Sequence, residues 1–309
     1  MRSLRFMLAA ALVAATAAIT FAPLTNAGEP GKTKKVLLVT DSGGFVHDSV
    51  AFAEQTLKEI GPANGLDVTC YRFTRDPNQK VKVKANKDAP EKEITLLEDA
   101  SEKFRKSTGA TIGLENCGRV NKDTLKNFDC VFFFTTGNPL TKQEVADLES
   151  WVKAGGAFAG THCATDTLYN ESAYGSLVGG YFDGHPWHQK IKIKVEDPKH
   201  AAAAGFENGS EITDEIYQFK DRPYSRDKLH VILSVDNSSI DTSKGKRKDG
   251  DYAISWCQDY GNGRTFYTSL GHRKEVWKDP RFQKHLIGGL KWAMKEAEGS
   301  AAPSGKTGG

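Results

Sequence analysis

The residues in this sequence that could do chemistry are concentrated where apolar runs give way to short polar stretches. "GAFAGTHCATDT" places His162, Cys163 and Asp166 directly after a glycine-flanked apolar run. "VLLVTDSGGFVHDS" leads into Asp41 and His47, and "YFDGHPWHQ" carries Tyr181, Asp183, His185, Trp187 and His188. Glu215 lies in "DEIYQF", and "RTFYTSLGH" ends on His272. Five of the eight histidines fall in these stretches. Histidine is the side chain whose ordinary pKa lies nearest neutrality, so a histidine–carboxylate set suits general acid–base chemistry or the holding of a divalent ion. His188, His200 and His230 read as ordinary hydrogen-bonding or packing residues, and His285 as part of a helix interior.

Such residues need a scaffold that brings strand ends together. "KKVLLVT" (34–40) and "FDCVFFFTTG" (128–137) are too apolar to face water on either side and predict buried parallel strands, with "LDVTCYRF" (66–73) and "GAFAGTH" as further strands. Between them, Val50, Ala53, Leu57 and Ile60 recur at helical spacing and Gly61 ends the run. "TKQEVADLESWVKAGG" predicts a helix with Thr141 as N-cap, Glu144 completing a capping box and Gly155 as stop. Strand–helix alternation implies an α/β fold with a mostly parallel sheet and helices on both faces. Antiparallel additions follow: "KIKIKV" (190–195) alternates as a half-exposed strand, "YGNGR" predicts a hairpin, and "RFQKHLIGGLKWAMKEA" a closing helix. Ligands of such sheets bind at the carboxyl ends of the strands, where the polar stretches lie.

Residues 1–27 open with Arg2 and Arg5, continue through an alanine-rich apolar run and end with small residues at Thr25 and Ala27, the pattern of a secretory signal peptide. A membrane anchor is the competing reading, but Thr16, Thr20 and Pro23 interrupt the run. Export to the periplasm or the medium is therefore expected, with no membrane association after cleavage. Removing Arg2 and Arg5 lowers the formal net charge of +3 to +1, which disfavours nucleic acid as a partner. Residues 28–297 are expected to form one domain, with a lysine-rich insertion at about 75–122 that is helical near "EKEITLLEDASEKFRK"; 298–309 read as a disordered tail. The five cysteines form no CxxC pair; Cys130 and Cys257 read as core residues, and a Cys70–Cys117 bridge is compatible with their flanking the insertion.

"GTHCATD" resembles the strand-to-helix elbow of the class I glutamine amidotransferase-like, flavodoxin-like sandwich, which there presents a catalytic cysteine. Here His162 takes the nucleophile's position and Cys163 falls one residue beyond it, so amidotransferase chemistry is not expected and Cys163 reads as structural. The blocks quoted above, with "YGSLVGGYFDGHPWHQ", "KVEDPKH", "AISWCQDYGNGRTFYTSLGH" and "DPRFQKHLIGGLKWA", are similar in order to the ThuA-like (trehalose utilisation) family, which uses the same fold, over about residues 35–294.

That resemblance implies a carbohydrate substrate, in particular a glycoside oxidised to the 3-keto sugar, and a possible divalent metal such as zinc or manganese. Carried over residue by residue, the catalytic or metal-binding set is His47, His162, Asp166, His185, Glu215 and His272. His162 is expected to be the base, oriented by Asp166, and Asp41, Tyr181, Asp183 and Trp187 to be substrate contacts. Deprotonation beside the keto group gives an enediolate, which leads to elimination or isomerisation; metal-assisted hydrolysis and a non-catalytic carbohydrate-binding module remain open alternatives. A 3-keto substrate also implies a separate sugar dehydrogenase, because the sequence carries no dinucleotide fingerprint.

Overall fold

A computed structural model describes residues 32–84 and 86–305. In chain order the elements are β1 (Lys34–Val39), α1 (Val50–Ile60), β2 (Leu66–Tyr71), β3 (Lys80–Val83), β4 (Lys92–Thr95), α2 (Leu96–Thr108), α3 (Lys122–Leu125), β5 (Cys130–Phe133), α4 (Lys142–Lys153), β6 (Ala157–Thr161), α5 (Ser172–Val178), β7 (Trp187–Val195), β8 (Glu211–Ile216), β9 (His230–Val235), β10 (Ala253–Tyr260), β11 (Gly263–Thr268), α6 (Lys274–Lys278) and α7 (Pro280–Ala293). Nine strands form one sheet in the order β2-β1-β5-β6-β11-β10-β9-β7-β8. The first five are mutually parallel, and β10, β9, β7 and β8 continue the sheet antiparallel.

The strands are apolar throughout because both faces are covered. Leu38, Phe132 and Ala159 point to the side packed by Val50 and Leu57 of α1 and Leu286 and Leu290 of α7. Their neighbours Leu37, Val131, Phe133 and Phe158 point to the other side, against Val145, Leu148 and Val152 of α4 and Leu177 of α5. Each such fully buried aliphatic side chain contributes about 1.5–3 kcal/mol. The α4 capping box forms as its sequence predicts, with Thr141 accepting from the Glu144 backbone N–H.

Several boundaries differ from the sequence expectation. β7 begins at Trp187, so His188 lies in a strand and not in a loop. The insertion forms a two-stranded hairpin, β3–β4, followed by α2, whose capping box uses Thr95 and Glu98. It is tied to the rest of the fold where the Ser107 hydroxyl donates to the Val46 carbonyl at 2.5 Å. The expected disordered tail is instead docked as far as Gly305: the Glu298 carbonyl accepts from Ala201 N–H, that of Gly299 from Trp292 Nε1, and the Ser304 and Gly305 amides donate to Leu229 and Arg226, all at 3.0 Å. Small, polar composition predicts disorder, whereas the segment is held chiefly by its backbone, with the Ser304 hydroxyl also accepting from Val231 N–H at 2.8 Å. Residues 306–309 and the expected signal peptide lie outside the described residues. Cys70 and Cys117 are free thiols, as are the other three cysteines. No helix among the described residues is long and apolar enough to cross a membrane.

One consequence of the topology matters most for chemistry. β6 and β8 are five places apart in the sheet, about 24 Å if the sheet were flat at 4.8 Å per strand. Yet a side chain following β6 touches one on β8. The antiparallel half therefore curls back over the carboxyl ends of the parallel half.

Candidate functional site

The sharpest local feature is His162, which follows the last residue of β6 with φ +45°, in the left-handed region that non-glycine residues rarely occupy. Its surroundings hold that conformation. A side chain at Gly160 would come within 2.9 Å of Ala164 Cβ, so only glycine lets the turn close this tightly. The Tyr267 hydroxyl donates to the His162 carbonyl at 2.6 Å. The imidazole itself is fully buried, and its Nδ1–H donates to the Ser269 carbonyl at 3.0 Å. That bond fixes the tautomer and leaves the Nε2 lone pair facing inward.

Around this lone pair stand His47 Nε2 at 3.2 Å, His272 Nδ1 at 3.2 Å, Glu215 Oε2 at 3.5 Å and the Tyr217 hydroxyl at 3.0 Å. His272 Nδ1 lies 3.3 Å from Glu215 Oε2. One donor atom from each of His47, His162, Glu215 and His272 falls within a common span of 4.8 Å. Four different segments supply them: the loop after β1, the elbow after β6, strand β8 and the loop after β11.

The donor set fits a divalent cation. Ligands at 2.0–2.1 Å stand about 3.3 Å apart along a tetrahedral edge and about 3.0 Å apart along an octahedral one, close to the 3.2, 3.5 and 3.3 Å separations of His162 and His272 from their neighbours, while the widest pair lies within 4.8 Å. A metal requires neutral imidazoles and an ionised carboxylate, and His47 and Glu215 are held in those forms. Burial, reinforced by the neighbouring imidazoles of His162 and His272, drives the His47 pKa down to about 2, so this ring is neutral. Burial alone would raise the Glu215 carboxyl, but the imidazoles of His162 and His272 beside it override that and hold the group well below the usual carboxylate range. Burial would likewise lower His272, yet the hydrogen bond and charge of Glu215 raise it. His47 Nδ1 has no hydrogen-bond partner.

The loop carrying His272 is positioned by Asp214, the strand neighbour of Glu215. This fully buried carboxylate accepts from Gly271 N–H at 2.7 Å and Arg273 N–H at 3.0 Å, bracketing His272. Burial pushes the Asp214 carboxyl up, and these N–H groups oppose that. Gly271 has φ +120°, which glycine alone adopts without strain. The Ser49 hydroxyl donates to the Gly271 carbonyl at 3.2 Å and so links the His47 and His272 loops.

The cluster's rim carries other expected residues. His185 is 52 % exposed, with Nδ1 3.4 Å from Glu215 Oε1 and its ring stacked on Phe182. Asp166 does not orient His162, as expected from sequence; it accepts from the Tyr169 hydroxyl at 2.7 Å, and Ser269 orients the histidine instead. Burial raises the Asp166 carboxyl. Phe45, 68 % exposed, meets the His47 ring edge-on at 4.9 Å. Asp183 pairs with Lys246 at 3.0 Å.

Three expected substrate contacts are placed elsewhere. Trp187 is buried against Tyr252, with its indole N–H on the Asp241 carbonyl, because the strand begins there and turns the ring inward. Tyr181 packs in the core with its hydroxyl on the Leu168 and Glu171 carbonyls. Asp41 is buried under Thr74 and Arg75, whose guanidinium lies 2.8 Å away. His188 pairs across β7–β8 with Glu215 but turns to Arg273 at 3.4 Å. Cys163 is wholly buried and burial raises its thiol well above the ordinary value, so it stays protonated.

Tyr217 and Asp214 were missed from sequence. A period-two reading of "TDEIY" would have put Tyr217 on the face of Glu215 two residues before it.

The family model for ThuA, described as trehalose utilisation, matches residues 35–293. The chain belongs to the ThuA family. Among solved structures, a ThuA-like protein from Bacteroides uniformis ATCC 8492 is similar with a TM-score of 0.58 and 20% identity, covering 94% of this chain and 99% of its own. A ThuA-like protein from Parabacteroides merdae ATCC 43184 is similar with a TM-score of 0.57 and 15% identity, covering 87% of this chain and 92% of its own. At these identities the likeness is one of fold. No curated protein matches the chain. This chain of a carbohydrate-related family thus carries a largely buried three-histidine, one-carboxylate cluster.

Proposed function

We propose that this protein is a carbohydrate-processing enzyme acting on an oxidised, 3-keto glycoside. His47, His162, Glu215 and His272 would hold a divalent cation, zinc or manganese by donor chemistry, and His185 would act as base. The observation that carries this reading is the convergence of four ligand atoms within 4.8 Å at the carboxyl ends of the strands. A cation bound there supplies Lewis-acid stabilisation of charge developing on a substrate oxygen.

The protein groups do the rest. His162 is enclosed and its free lone pair is surrounded, so it cannot meet a substrate C–H, contrary to the role expected from sequence. His185 can: it is half exposed at the rim, and Glu215 Oε1 at 3.4 Å from Nδ1 favours the proton on that nitrogen, which would leave Nε2 as the basic atom. His185 Nε2 takes the proton from C2, and the C–H electrons form the enediolate with the C3 carbonyl. Their return expels the C1 substituent with its bonding pair, and the departing oxygen takes a proton from solvent water. The phenol of Tyr217, pushed well above its ordinary value by burial, stays protonated beside the cluster. The signal-like residues 1–27 support export, and a separate sugar dehydrogenase of the same compartment would supply the keto substrate.

Deuterium exchange tests the base directly. A 3-keto glycoside in D2O should lose its C2 proton signal with the wild-type protein and far more slowly with His185→Gln. Equal exchange rates would remove His185 from the mechanism, and no exchange or cleavage of any 3-keto glycoside by the wild type would overturn the substrate class.

A further inference from the structure

Phe45 lies two residues before His47, and its ring is 68 % exposed where it meets the His47 imidazole edge-on at 4.9 Å. An aromatic ring left in water beside a buried cluster is not placed there by core packing. His47 already has a buried aromatic neighbour in Phe134, 6.0 Å away and stacked on Trp277. The backbone holds Phe45 where it is. Gly43 N–H donates to the Thr136 carbonyl at 2.9 Å and Gly44 N–H to Thr136 Oγ1 at 3.2 Å, while the Thr136 hydroxyl donates to the Phe45 carbonyl at 2.8 Å. Gly137 N–H in turn donates to the Asp166 carbonyl at 3.1 Å, so one turn braces the loops of both His47 and Asp166.

Bracing matters for binding, because a ring already held in place loses little freedom when a ligand covers it. Tyr169, the other exposed aromatic residue of this rim, is already engaged. Its hydroxyl donates to Asp166, and its ring meets Tyr181 at 5.2 Å and the Lys220 ammonium at 4.6 Å. The contact that sequence assigns to Tyr181 and Trp187 therefore falls to Phe45. The chemistry of the step narrows what this ring touches. The C1 substituent departs as an oxyanion that takes its proton from water, so expulsion is faster the more acidic the leaving alcohol. A phenol, with a pKa of about 10, is far more acidic than an aliphatic alcohol. Its flat ring also suits the edge-to-face or offset stacking, at about 4.5–7 Å, that an exposed phenyl group offers.

We propose that Phe45 is a specificity-determining residue that packs against an aromatic leaving group. The protein then prefers aryl glycosides in their 3-keto form over those that expel an alkyl alcohol or a second sugar. The proposal rests on the keto-glycoside reading of the cluster and adds to it the nature of the group expelled.

Leaving-group release from the 3-keto derivatives of phenyl and methyl glucoside tests it in the wild type, Phe45→Ser and Phe45→Tyr, with a thermal melt and a cobalt(II) titration of each. The intrinsic difference between the two leaving groups cancels when their kcat/KM ratio is compared between variants. That ratio should fall about 10-fold in Phe45→Ser, through a higher KM for the phenyl substrate, and recover in Phe45→Tyr, which keeps the ring. An unchanged ratio in Phe45→Ser overturns the proposal and leaves the keto-glycoside reading standing; if cobalt affinity drops as well, Phe45 is instead a shield for His47. A wild type that neither releases the leaving group nor exchanges the C2 proton of either substrate overturns both readings. If Phe45→Ser does not fold, Phe45→Leu, apolar but without the ring, decides by the same ratio.

Discussion

Asp214→Asn is the substitution whose outcome the structure specifies most closely. Asp214 is fully buried and accepts two backbone N–H groups, at 2.7 and 3.0 Å, one on each side of His272. Asparagine keeps one acceptor and turns the other into an N–H donor aimed at an N–H. A hydrogen bond to a charged group contributes about 1.5–3 kcal/mol, and an unsatisfied buried donor costs a further 1–3 kcal/mol. A net loss of about 2.5–6 kcal/mol follows, or a melting temperature roughly 5–20 °C lower for a domain of this size. Because the two amides set the path of the chain through His272, metal affinity should fall about 10- to 100-fold, as for other groups that orient metal ligands. Cobalt(II) titration, followed by the visible absorption of the bound ion, measures this apart from stability. The control is Asp251→Asn, a buried carboxylate bound to Tyr224 and Arg226 and outside the cluster, which should lower the melt and leave cobalt binding alone. If folded Asp214→Asn binds cobalt as tightly as the wild type, Asp214 does not position His272.

Three further outcomes are expected. Burial lowers both His200 and His285 to about 4, so both are neutral in the folded protein, while an unfolded histidine titrates near 6.5. Their contribution is complete above pH 6.5 and is lost as pH falls from 6.5 towards 4, by up to about 1.4 kcal/mol per pH unit for each. His285→Gln should therefore show a shallower loss of stability than the wild type in urea unfolding at pH 7.5, 6.0 and 5.0; parallel slopes would contradict this. Cys163→Ala should keep catalytic activity at a stability cost of about 1 kcal/mol, and iodoacetamide should not label Cys163 in the folded protein; inactivation by labelling at this residue would reinstate a thiol role. Deleting residues 298–309 removes at least the four 3.0 Å bonds described above, so the melt should drop while metal content stays the same, and an unchanged melt would mean the docked tail adds nothing.

Much of the scaffold was legible because burial on two faces leaves a plain record. Strands such as β5 can be nothing but central, and Thr141 with Glu144 announces α4. The polar strand ends identified His47, His162, Glu215 and His272 as candidates, since ligands of parallel sheets gather there. What sequence could not give was the curl of the antiparallel half, which decides that Glu215 meets His162 and His185 stays at the rim. Without it, Trp187 and Tyr181 read as an aromatic wall, when β7 and the core claim them. Asp41 looked functional by position, but its partners Thr74 and Arg75 lie more than thirty residues away. The bounds of α5 are faint in the sequence because "SAYGSLV" is short and carries a glycine, against which the Tyr181 ring packs.

The most direct test of the central claim is metal analysis of the purified protein together with thermal melts before and after chelation. The cluster predicts about one divalent ion per chain, a melt that falls on chelation and recovers on adding the metal back, and loss of both metal and shift in His162→Ala. Protein that is folded, binds no divalent ion even when one is supplied, and melts at the same temperature with and without chelator would contradict it.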